Sequence, residues 1–388
     1  MFPTLSSLIE YFTGYRIQLP VQTFGLIVAL SFWLSYLAFK AEFRRKEKEG
    51  KIGEFKSYPA NKRAVYFYYV LYSLLVFLLG YKLVYAVKWS KVFMVSPQQE
   101  LFSANGDIIG GVLFLTIFLV LLYFIAGRNI SKPVDEKNYT LVHPYEVTDR
   151  MLLWCASIGF IGAILFAKLE QWSLLFSDPG LFFTSYNGLN FLGGFIFGAG
   201  IYFYRCRKMG INMVTAADIG SPGIMLAYGF GRIGCHLSGD GDWGIINNAP
   251  KPSSLSWLPN WVWAYDYPHN VIHAGKYIEG CTGTYCNILV DKVYPTSFYE
   301  FVIGMSLFFL LWMFRRKINR DGMMFLLFIS LLGLERFMIE FIKVNPRHCI
   351  GNVCLTQSQY ISIAFMLIGA IGFALISWKK FQKRKNFA

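Results

Sequence analysis

Four side chains that can carry charge follow one another closely within residues 231–244: Arg232, His236, Asp240 and Asp242. They come directly after an apolar run. Insertion of a guanidinium at the centre of a membrane helix costs about 2.5 to 3.5 kcal/mol of free energy. An anion, a cavity or an interface removes that cost, and the anion that a membrane supplies is a phospholipid phosphate. The glycines of this segment leave the backbone open to close approach. The pattern predicts a binding or catalytic loop; the alternative is an arginine that only anchors in the outer headgroups.

A second arginine, Arg336, lies near the outer end of another apolar run, with Glu340 one helical turn further on. At this spacing the two side chains could simply neutralise each other. Guanidinium groups also bind phosphate in a planar, bidentate way, so Arg232 and Arg336 could instead converge on one phosphate. Glu300 lies about one turn inside a third apolar run, and we expect it to face the bundle interior and an arginine partner.

The elements that position these side chains are apolar: 55% of the residues are hydrophobic, 18% aromatic and only 15% charged. Such a composition is typical of an integral membrane protein. A β-barrel would show ten-residue alternating segments, whereas these runs are long enough for helices. The sequence therefore predicts an all-α, polytopic helix bundle with about nine transmembrane helices. The predicted spans are residues 23–40, 64–86, 109–127, 151–170, 187–204, 214–234, 296–314, 322–341 and 358–378.

The orientation follows from the positions of lysine and arginine, which are enriched in cytoplasmic loops. With nine spans, every basic cluster falls on one side, so we expect the N-terminus outside and the C-terminus inside. The net charge of +14 is then a consequence of topology, with anionic membrane lipids as contacts and no nucleic-acid partner. The basic clusters are at residues 40–63, 128–150, 205–208, 315–320 and 379–385.

Four of the seven cysteines lie in two predicted outside loops, as the pairs Cys281 with Cys286 and Cys349 with Cys354. Outside loops are where disulfides persist, so we expect one local disulfide in each loop. Pairing between the loops and a zinc site remain alternatives, since four cysteines do not determine their own connectivity.

Several short segments occur in the order in which they are found in a known family. They are Gly159-Phe160-Ile161-Gly162-Ala163, the glycine turn at 188–194, Ala216-Ala217-Asp218 leading to Gly231-Arg232-Ile233-Gly234, residues 294–300, Arg336-Phe337 through Glu340, and Leu355-Thr356-Gln357-Ser358-Gln359. From about residue 150 onward, with the first span also matching, the chain resembles the prolipoprotein diacylglyceryl transferases of bacterial membranes.

The resemblance implies transfer of the diacylglyceryl group of phosphatidylglycerol to the lipobox cysteine thiol of an exported prolipoprotein, with release of glycerol phosphate. It implies a multi-pass protein of the bacterial inner membrane, with its active site toward the outer face and with phosphatidylglycerol and the prolipoprotein signal peptide as partners. It implies neither a cofactor nor a metal.

The chain also departs from the family pattern at four places. Leu192 stands where members often carry a histidine, Cys235 where an asparagine is usual, Leu332 where a tyrosine is expected, and Tyr294-Pro295 where His-Pro often occurs. These departures leave the two arginines and the acids in place. The same reaction is therefore expected, but with a different acid or base residue.

The resulting hypothesis gives each residue a role. Arg232 and Arg336 hold the phosphate, while Asp240, Glu300 or Glu340 orient them. His236 is a candidate base for the thiol because imidazole has an ordinary pKa of about 6.5, and the nearby acids are the alternatives. The remaining residues predicted to bind phosphatidylglycerol are Gly193, Gly194, Gly231, Gly234, Gly244 and Cys235.

The predicted organisation has three parts: an outside segment and first span at 1–50, an inserted two-span segment at 51–150, and a family-like catalytic bundle at 151–388 with an outside head loop at 244–293. Two other functions compete with the transferase. One is a repurposed relative that binds phospholipid or transfers another lipid group. The other is a transporter, which charged residues at depth favour and the absence of a paired inverted repeat disfavours.

Overall fold

A computed structural model describes the whole chain except residues 16, 18, 20, 59–61, 96–99, 102, 127–138, 185–188, 282, 352 and 386–388. The described chain is mostly helical, at 68%. It forms two compact units: Met1–Ile52 with Ile211–Ala388, and Gly53–Gly210. The helices are α1 (Leu5–Thr13), α2 (Thr23–Lys48), α3 (Lys62–Lys88), α4 (Ser90–Val95), α5 (Ile108–Ala126), α6 (Thr148–Leu169), α7 (Trp172–Ser177), α8 (Pro179–Thr184), α9 (Phe191–Lys208), α10 (Met213–Ser238), α11 (Asn260–Trp263), α12 (Thr296–Phe314), α13 (Met323–Ile339) and α14 (Gln357–Lys385).

Each of the nine predicted spans coincides with one of these helices over most of its length. Within the described residues, five helical segments are long and apolar enough to cross a membrane. The predicted ends are less accurate: α2 continues to Lys48, so part of the first predicted basic loop is helical. The start of the fifth span at 187–188, Gly188 of the glycine turn, residue 127 and much of the basic cluster at 128–150 lie outside the described residues. The five qualifying segments are Thr23–Lys48, Tyr68–Lys88, Pro144–Leu169, Thr296–Phe314 and Gln357–Trp378.

The first unit is a bundle in which α10 packs against α2, α12 and α13, and α13 packs against α14. The apolar core lies between these helices. Its buried members are Ala38, Met225, Leu226, Phe308, Leu311, Met324, Phe328 and Ile329.

Two glycines bring α10 and α12 into backbone contact. A Cβ built on Gly229 would lie 2.9 Å from the Gly304 carbonyl carbon, and one on Gly304 would lie 2.8 Å from the Gly229 Cα. Small residues at a crossing allow membrane helices to approach closely. Gly229 lies one turn before Arg232 and Gly304 one turn after Glu300, so the crossing fixes the separation of these charged side chains.

We therefore expect Gly229→Ala to destabilise the bundle by about 1 to 3 kcal/mol, because the added methyl group meets backbone that cannot rotate away. Thermal unfolding in detergent micelles measures the loss. Gly231→Ala is the matched control, since a Cβ on Gly231 has no heavy atom within 4 Å. Equal melting temperatures for the two variants would contradict the proposed crossing.

Opposite-charge contacts connect α2, α10 and α13 at the other end of α10. The buried Asp218 carboxylate accepts hydrogen bonds from the backbone N–H groups of Gly322 at 2.8 Å and Phe325 at 2.9 Å. The Lys46 ammonium, also buried, lies 3.6 Å from the same carboxylate. These bonds satisfy free N–H groups at the start of α13 and fix its position in the bundle.

In the second unit, α3 packs against α5 and α6 against α9. Gly193 lies at the second of these contacts: a Cβ there would lie 2.4 Å from the Gly162 carbonyl oxygen and 2.5 Å from the Phe166 Cβ. A Cβ on Gly194 would lie 3.4 Å from that of Ala163. The paired glycines thus permit close packing of α6 and α9.

Three short antiparallel strand pairs accompany the helices in the described part of the chain, so the fold is mostly rather than entirely helical. The all-α prediction missed them because two- to four-residue strands leave little periodic signal. Both expected local disulfides are present, Cys281–Cys286 and Cys349–Cys354, the second joining paired strands. The strand pairs are β1 (Phe55–Ser57) with β2 (Thr140–Val142), β3 (Lys276–Tyr277) with β4 (Asn287–Ile288), and β5 (Arg347–Ile350) with β6 (Val353–Thr356).

Candidate active site

Arg232 at the end of α10 and Arg336 near the end of α13 meet at one carboxylate, that of Glu300 on α12. Arg336 Nη1 donates a hydrogen bond to Glu300 Oε1, and Arg232 Nη1 lies 3.5 Å from Oε2. Glu300 is fully buried. The expectation that this acid faces the bundle interior and an arginine is confirmed, and the structure supplies two arginines.

Two further side chains complete the arrangement: Asp242, which belongs to the predicted binding or catalytic loop, and Lys343, to which the sequence analysis gave no role. Asp242 accepts a hydrogen bond from Arg232 through one oxygen and from Lys343 through the other. The Lys343 ammonium also lies 3.2 Å from Glu300 Oε1. Lys343 stands one turn after Glu340, which was the only sequence signal for it.

Glu340 closes the cluster on the α13 side. Its Oε2 lies 3.6 Å from Arg336 Nη2, and its Oε1 accepts a hydrogen bond of 2.6 Å from the Asn345 side chain. The expected pair between Arg336 and Glu340 therefore exists, but Glu300 is the closer partner of Arg336. Three cations and three acids form this ion-pair cluster: Arg232, Arg336, Lys343, Asp242, Glu300 and Glu340.

The two arginines and Asp242 are the partly exposed members of the cluster. The Arg232 and Arg336 side chains are 23% and 21% exposed, whereas those of Glu300 and Glu340 are fully buried. The Glu300 and Glu340 carboxylates thus lie behind the guanidinium groups and orient them, while part of each guanidinium remains exposed. Such a pair of planar, charged donors suits a phosphate.

Asp242 lies outside the apolar part of α10, in the loop that follows. Burial alone raises the pKa of its carboxyl, but Arg232 and Lys343 outweigh burial and hold the pKa below its usual value. A carboxyl whose pKa is lowered by folding stabilises the folded state fully at pH values above its unfolded pKa of about 3.9. This stabilisation is lost as the pH falls from that value through the lower pKa of the folded state. Asp242 therefore stays ionised, and the Arg232 contact is retained, at neutral pH.

Backbone pairing holds the Asp242 loop against the two other charged segments. Gly244 N–H donates to the Tyr294 carbonyl and Ile245 N–H to the Ile342 carbonyl, both at 2.8 Å. A Cβ on Gly244 would lie 2.4 Å from the Ile342 carbonyl oxygen. Gly244 is thus needed for the close approach of the loop to Lys343, which follows Ile342.

Gly244→Ala should separate Asp242 from Lys343 and lower the rate of the catalysed reaction by about tenfold, as a modest misplacement of a charged contact does. Turnover of the purified variant measures the effect. Gly283→Ala is the control, because a Cβ at that head-loop glycine has no neighbour within 4 Å. Full turnover by the Gly244 variant would show that the loop contact is dispensable.

The structure places His236 apart from these ion pairs, in an aromatic enclosure. The side chain is 4% exposed, and its Nδ1 lies 3.2 Å from the Tyr267 hydroxyl. No described ion pair or hydrogen bond joins it to either arginine. The rings around His236 are those of Trp261, Tyr265, Tyr267 and Phe298.

The other predicted site residues occupy several settings. Asp240 accepts a hydrogen bond of 3.2 Å from the Asp242 backbone N–H, so it shapes the loop rather than touching an arginine in the described contacts. Cys235 is a free thiol. Gly231 has open space around it, whereas a Cβ on Gly234 would lie 3.2 Å from the Ile27 side chain on α2.

The head loop combines packed and exposed tryptophans. Trp261 contacts the Phe298 ring of α12, with centroids 4.8 Å apart. Trp263 donates a hydrogen bond to the Ala249 carbonyl, while Trp257 is 77% exposed. Within the described ranges, no group of three or more His, Cys, Asp or Glu side chains could hold a metal ion.

These features describe a multi-pass helical membrane protein with a cluster of ion pairs around two partly exposed arginines. Comparison with known proteins narrows the class. A sequence model of the prolipoprotein diacylglyceryl transferase family matches residues 111–375, more than half of the chain. The chain belongs to this family.

Individual relatives agree with the family match. Phosphatidylglycerol--prolipoprotein diacylglyceryl transferase of Clostridium tetani is 30% identical over 231 residues, which are 58% of this chain and 80% of the relative. A second such enzyme, from Clostridium perfringens, is 29% identical over 59% of this chain and 77% of the relative. That of Cutibacterium acnes is 27% identical over 69% of this chain and 84% of the relative.

Proposed function

We propose that the chain transfers the diacylglyceryl group of phosphatidylglycerol to the lipobox cysteine of prolipoproteins, with Arg232 and Arg336 binding the lipid phosphate. The relatives carry this activity in their names. One observation supports the site assignment most strongly. Two partly exposed guanidinium groups, from different helices, contact the same buried carboxylate, that of Glu300.

The reaction needs little covalent help from the protein, because the substrate thiol is the nucleophile. Sulfur attacks the glycerol carbon that carries the phosphate, the carbon–oxygen bond breaks, and glycerol phosphate leaves with the electron pair. The phosphate thereby gains negative charge, which fixed guanidinium donors stabilise. Glu300, Asp242 and Glu340 orient these donors, and His236 remains one candidate for the proton acceptor.

The proposed topology has nine spans, with the N-terminus outside, the C-terminus inside and the active site toward the outer face of the bacterial inner membrane. Asp218 and Arg232 are fourteen positions apart on α10, or about 21 Å along the helix axis at 1.5 Å per residue. The Lys46 contact lies at the Asp218 end, on the basic side. Both disulfides lie in loops assigned to the outside, where oxidising conditions preserve them.

The division into parts follows the same scheme. The segment 51–150 adds α3 and α5, which pack against each other, and the family match begins within it at residue 111. The catalytic part is 151–388, with the head loop 244–293 above the membrane. The exposed Trp257 suits contact with membrane lipids at the interface. The signal peptide of the prolipoprotein is the second substrate.

The test is transfer of labelled diacylglycerol from phosphatidylglycerol to a lipobox peptide by the purified chain. Label on the peptide cysteine, and none on a peptide with serine in its place, is the expected result. A chain that binds phosphatidylglycerol yet labels neither peptide would instead be a repurposed relative.

A further inference from the structure

A buried tyrosine–carboxyl pair lies beside the two arginines and has no role in the ion-pair cluster. The Tyr228 hydroxyl donates a hydrogen bond of 2.8 Å to Glu335 Oε2. Tyr228 stands one turn before Arg232 on α10, and the Arg232 guanidinium lies 5.1 Å from the centre of its ring. Glu335 directly precedes Arg336 on α13. The pair thus joins the two helices that supply the proposed phosphate ligands.

Charge balance does not account for Glu335. The three cations of the cluster already face three acids, and Glu335 forms no ion pair in the described part of the chain. It is 5% exposed, and its Oε1 has no hydrogen-bond partner among the described residues. An unsatisfied buried carboxyl oxygen costs free energy, so a carboxyl kept in this position suggests a functional role.

We infer that Glu335 accepts the proton of the attacking cysteine thiol, with Tyr228 as the relay. This inference rests on the proposed transferase function. The thiol proton passes to the Tyr228 oxygen as the Tyr228 proton passes to Glu335. The sulfur electron pair forms the carbon–sulfur bond, and the pair of the broken carbon–oxygen bond goes to the phosphate.

The net charge of the site stays constant through this step. The phosphodiester carries one negative charge, and the glycerol phosphate that leaves carries two when its proton is absent. Protonation of Glu335 removes one negative charge as the phosphate gains one. The Glu335 proton then leaves with the product or passes to water, which restores the carboxylate.

Glu335→Gln and Tyr228→Phe test the inference on the full chain in phosphatidylglycerol vesicles. Glutamine keeps the volume and still accepts the Tyr228 hydrogen bond but takes no proton. Phenylalanine keeps the ring under Arg232 but has no hydroxyl. We expect kcat for a cysteine lipobox peptide to fall by about 10²- to 10⁴-fold in Glu335→Gln, the range typical of a lost general base. The KM for phosphatidylglycerol should stay within about twofold. Glu279→Gln, at an exposed head-loop position, is the matched control.

Two readouts separate proton transfer from a structural role. The Glu335→Gln rate should rise as the pH approaches the thiol pKa of about 8.5, because solvent then supplies the thiolate. A lipobox peptide with selenocysteine, whose selenol is ionised at neutral pH, should recover most of the loss in both variants.

Three results would overturn the inference. The first is full transfer by Glu335→Gln, and the second is an equal defect of that variant with cysteine and selenocysteine peptides. The third is that the selenocysteine peptide restores transfer in His236→Gln but not in Glu335→Gln. Absence of transfer by the unaltered chain would be a different failure, that of the transferase function itself. Should Glu335→Gln fail to fold, Tyr228→Phe provides the same comparison.

Discussion

Diacylglyceryl transfer should fall by about 10²- to 10³-fold when Arg232 is replaced by alanine. Removal of one fixed donor to a developing oxyanion typically costs this much. Arg232 contacts both Asp242 and Glu300 and leaves part of its guanidinium exposed, so the change removes a phosphate ligand and leaves its two acids facing the lipid anion. The rate is measured as label appearing on a lipobox peptide.

Arg347→Ala is the matched control for this change. Arg347 lies in the β5–β6 hairpin with its side chain exposed, so the variant loses the same charge outside the ion-pair cluster. It should transfer at close to the unaltered rate. Equal losses in the two variants would mean that general charge, rather than the Arg232 position, governs activity.

The second large effect is expected for Glu300→Ala, through stability. The Glu300 carboxylate is fully buried and contacts Arg232, Arg336 and Lys343. Removal of one partner from a buried ion pair costs about 3 to 5 kcal/mol, because it leaves an uncompensated charge in an apolar setting. We therefore expect a much lower midpoint of denaturant unfolding.

Glu279→Ala, at an exposed position in the head loop, controls for the loss of a glutamate. Its unfolding midpoint should match that of the unaltered chain. Glu300→Gln should be less damaging than Glu300→Ala, since the amide fills the same space and still accepts hydrogen bonds. Unchanged unfolding of Glu300→Ala would show that the three cations do not depend on this carboxylate.

The helices were the most predictable part of the fold, because membrane spans leave a long apolar signal. Their ends were harder. The charged end of α2 continues as helix to Lys48, where Lys46 finds a buried partner in Asp218. Composition alone makes such a segment look like a loop. The short strand pairs escaped prediction because strands of two to four residues leave little periodic signal.

The contact of Glu300 with an arginine was predictable, because a charge within an apolar run requires a partner. The sequence does not show which residues form the ion pairs, because the partners are far apart in the chain. Arg336 and Glu300 are 36 residues apart, and Lys343 and Asp242 are 101 residues apart. These contacts depend on the Gly229–Gly304 crossing and on the backbone pairing at Gly244. A helix pattern contains no information about either.

His236 shows why intrinsic chemistry is a weak guide to a base. Its ordinary pKa and its position near Arg232 made it a reasonable candidate from the sequence. The helix end turns its ring toward Tyr267 and Trp261 instead of toward the arginines. Glu335, to which the sequence analysis gave no role, directly precedes Arg336 and accepts a hydrogen bond from Tyr228, one turn before Arg232.

The central claim is that Arg232 and Arg336 bind one phosphate, and a double-mutant cycle on transfer tests it most directly. Labelled transfer from phosphatidylglycerol to a lipobox peptide is measured for the unaltered chain, Arg232→Lys, Arg336→Lys and the double variant. Two ligands of one phosphate should couple by about 0.5 to 3 kcal/mol. The transfer rate of the double variant, relative to the unaltered chain, should therefore be well above the product of the relative rates of the two single variants. Strictly multiplicative losses, or a full rate in either single variant, would contradict a shared phosphate site.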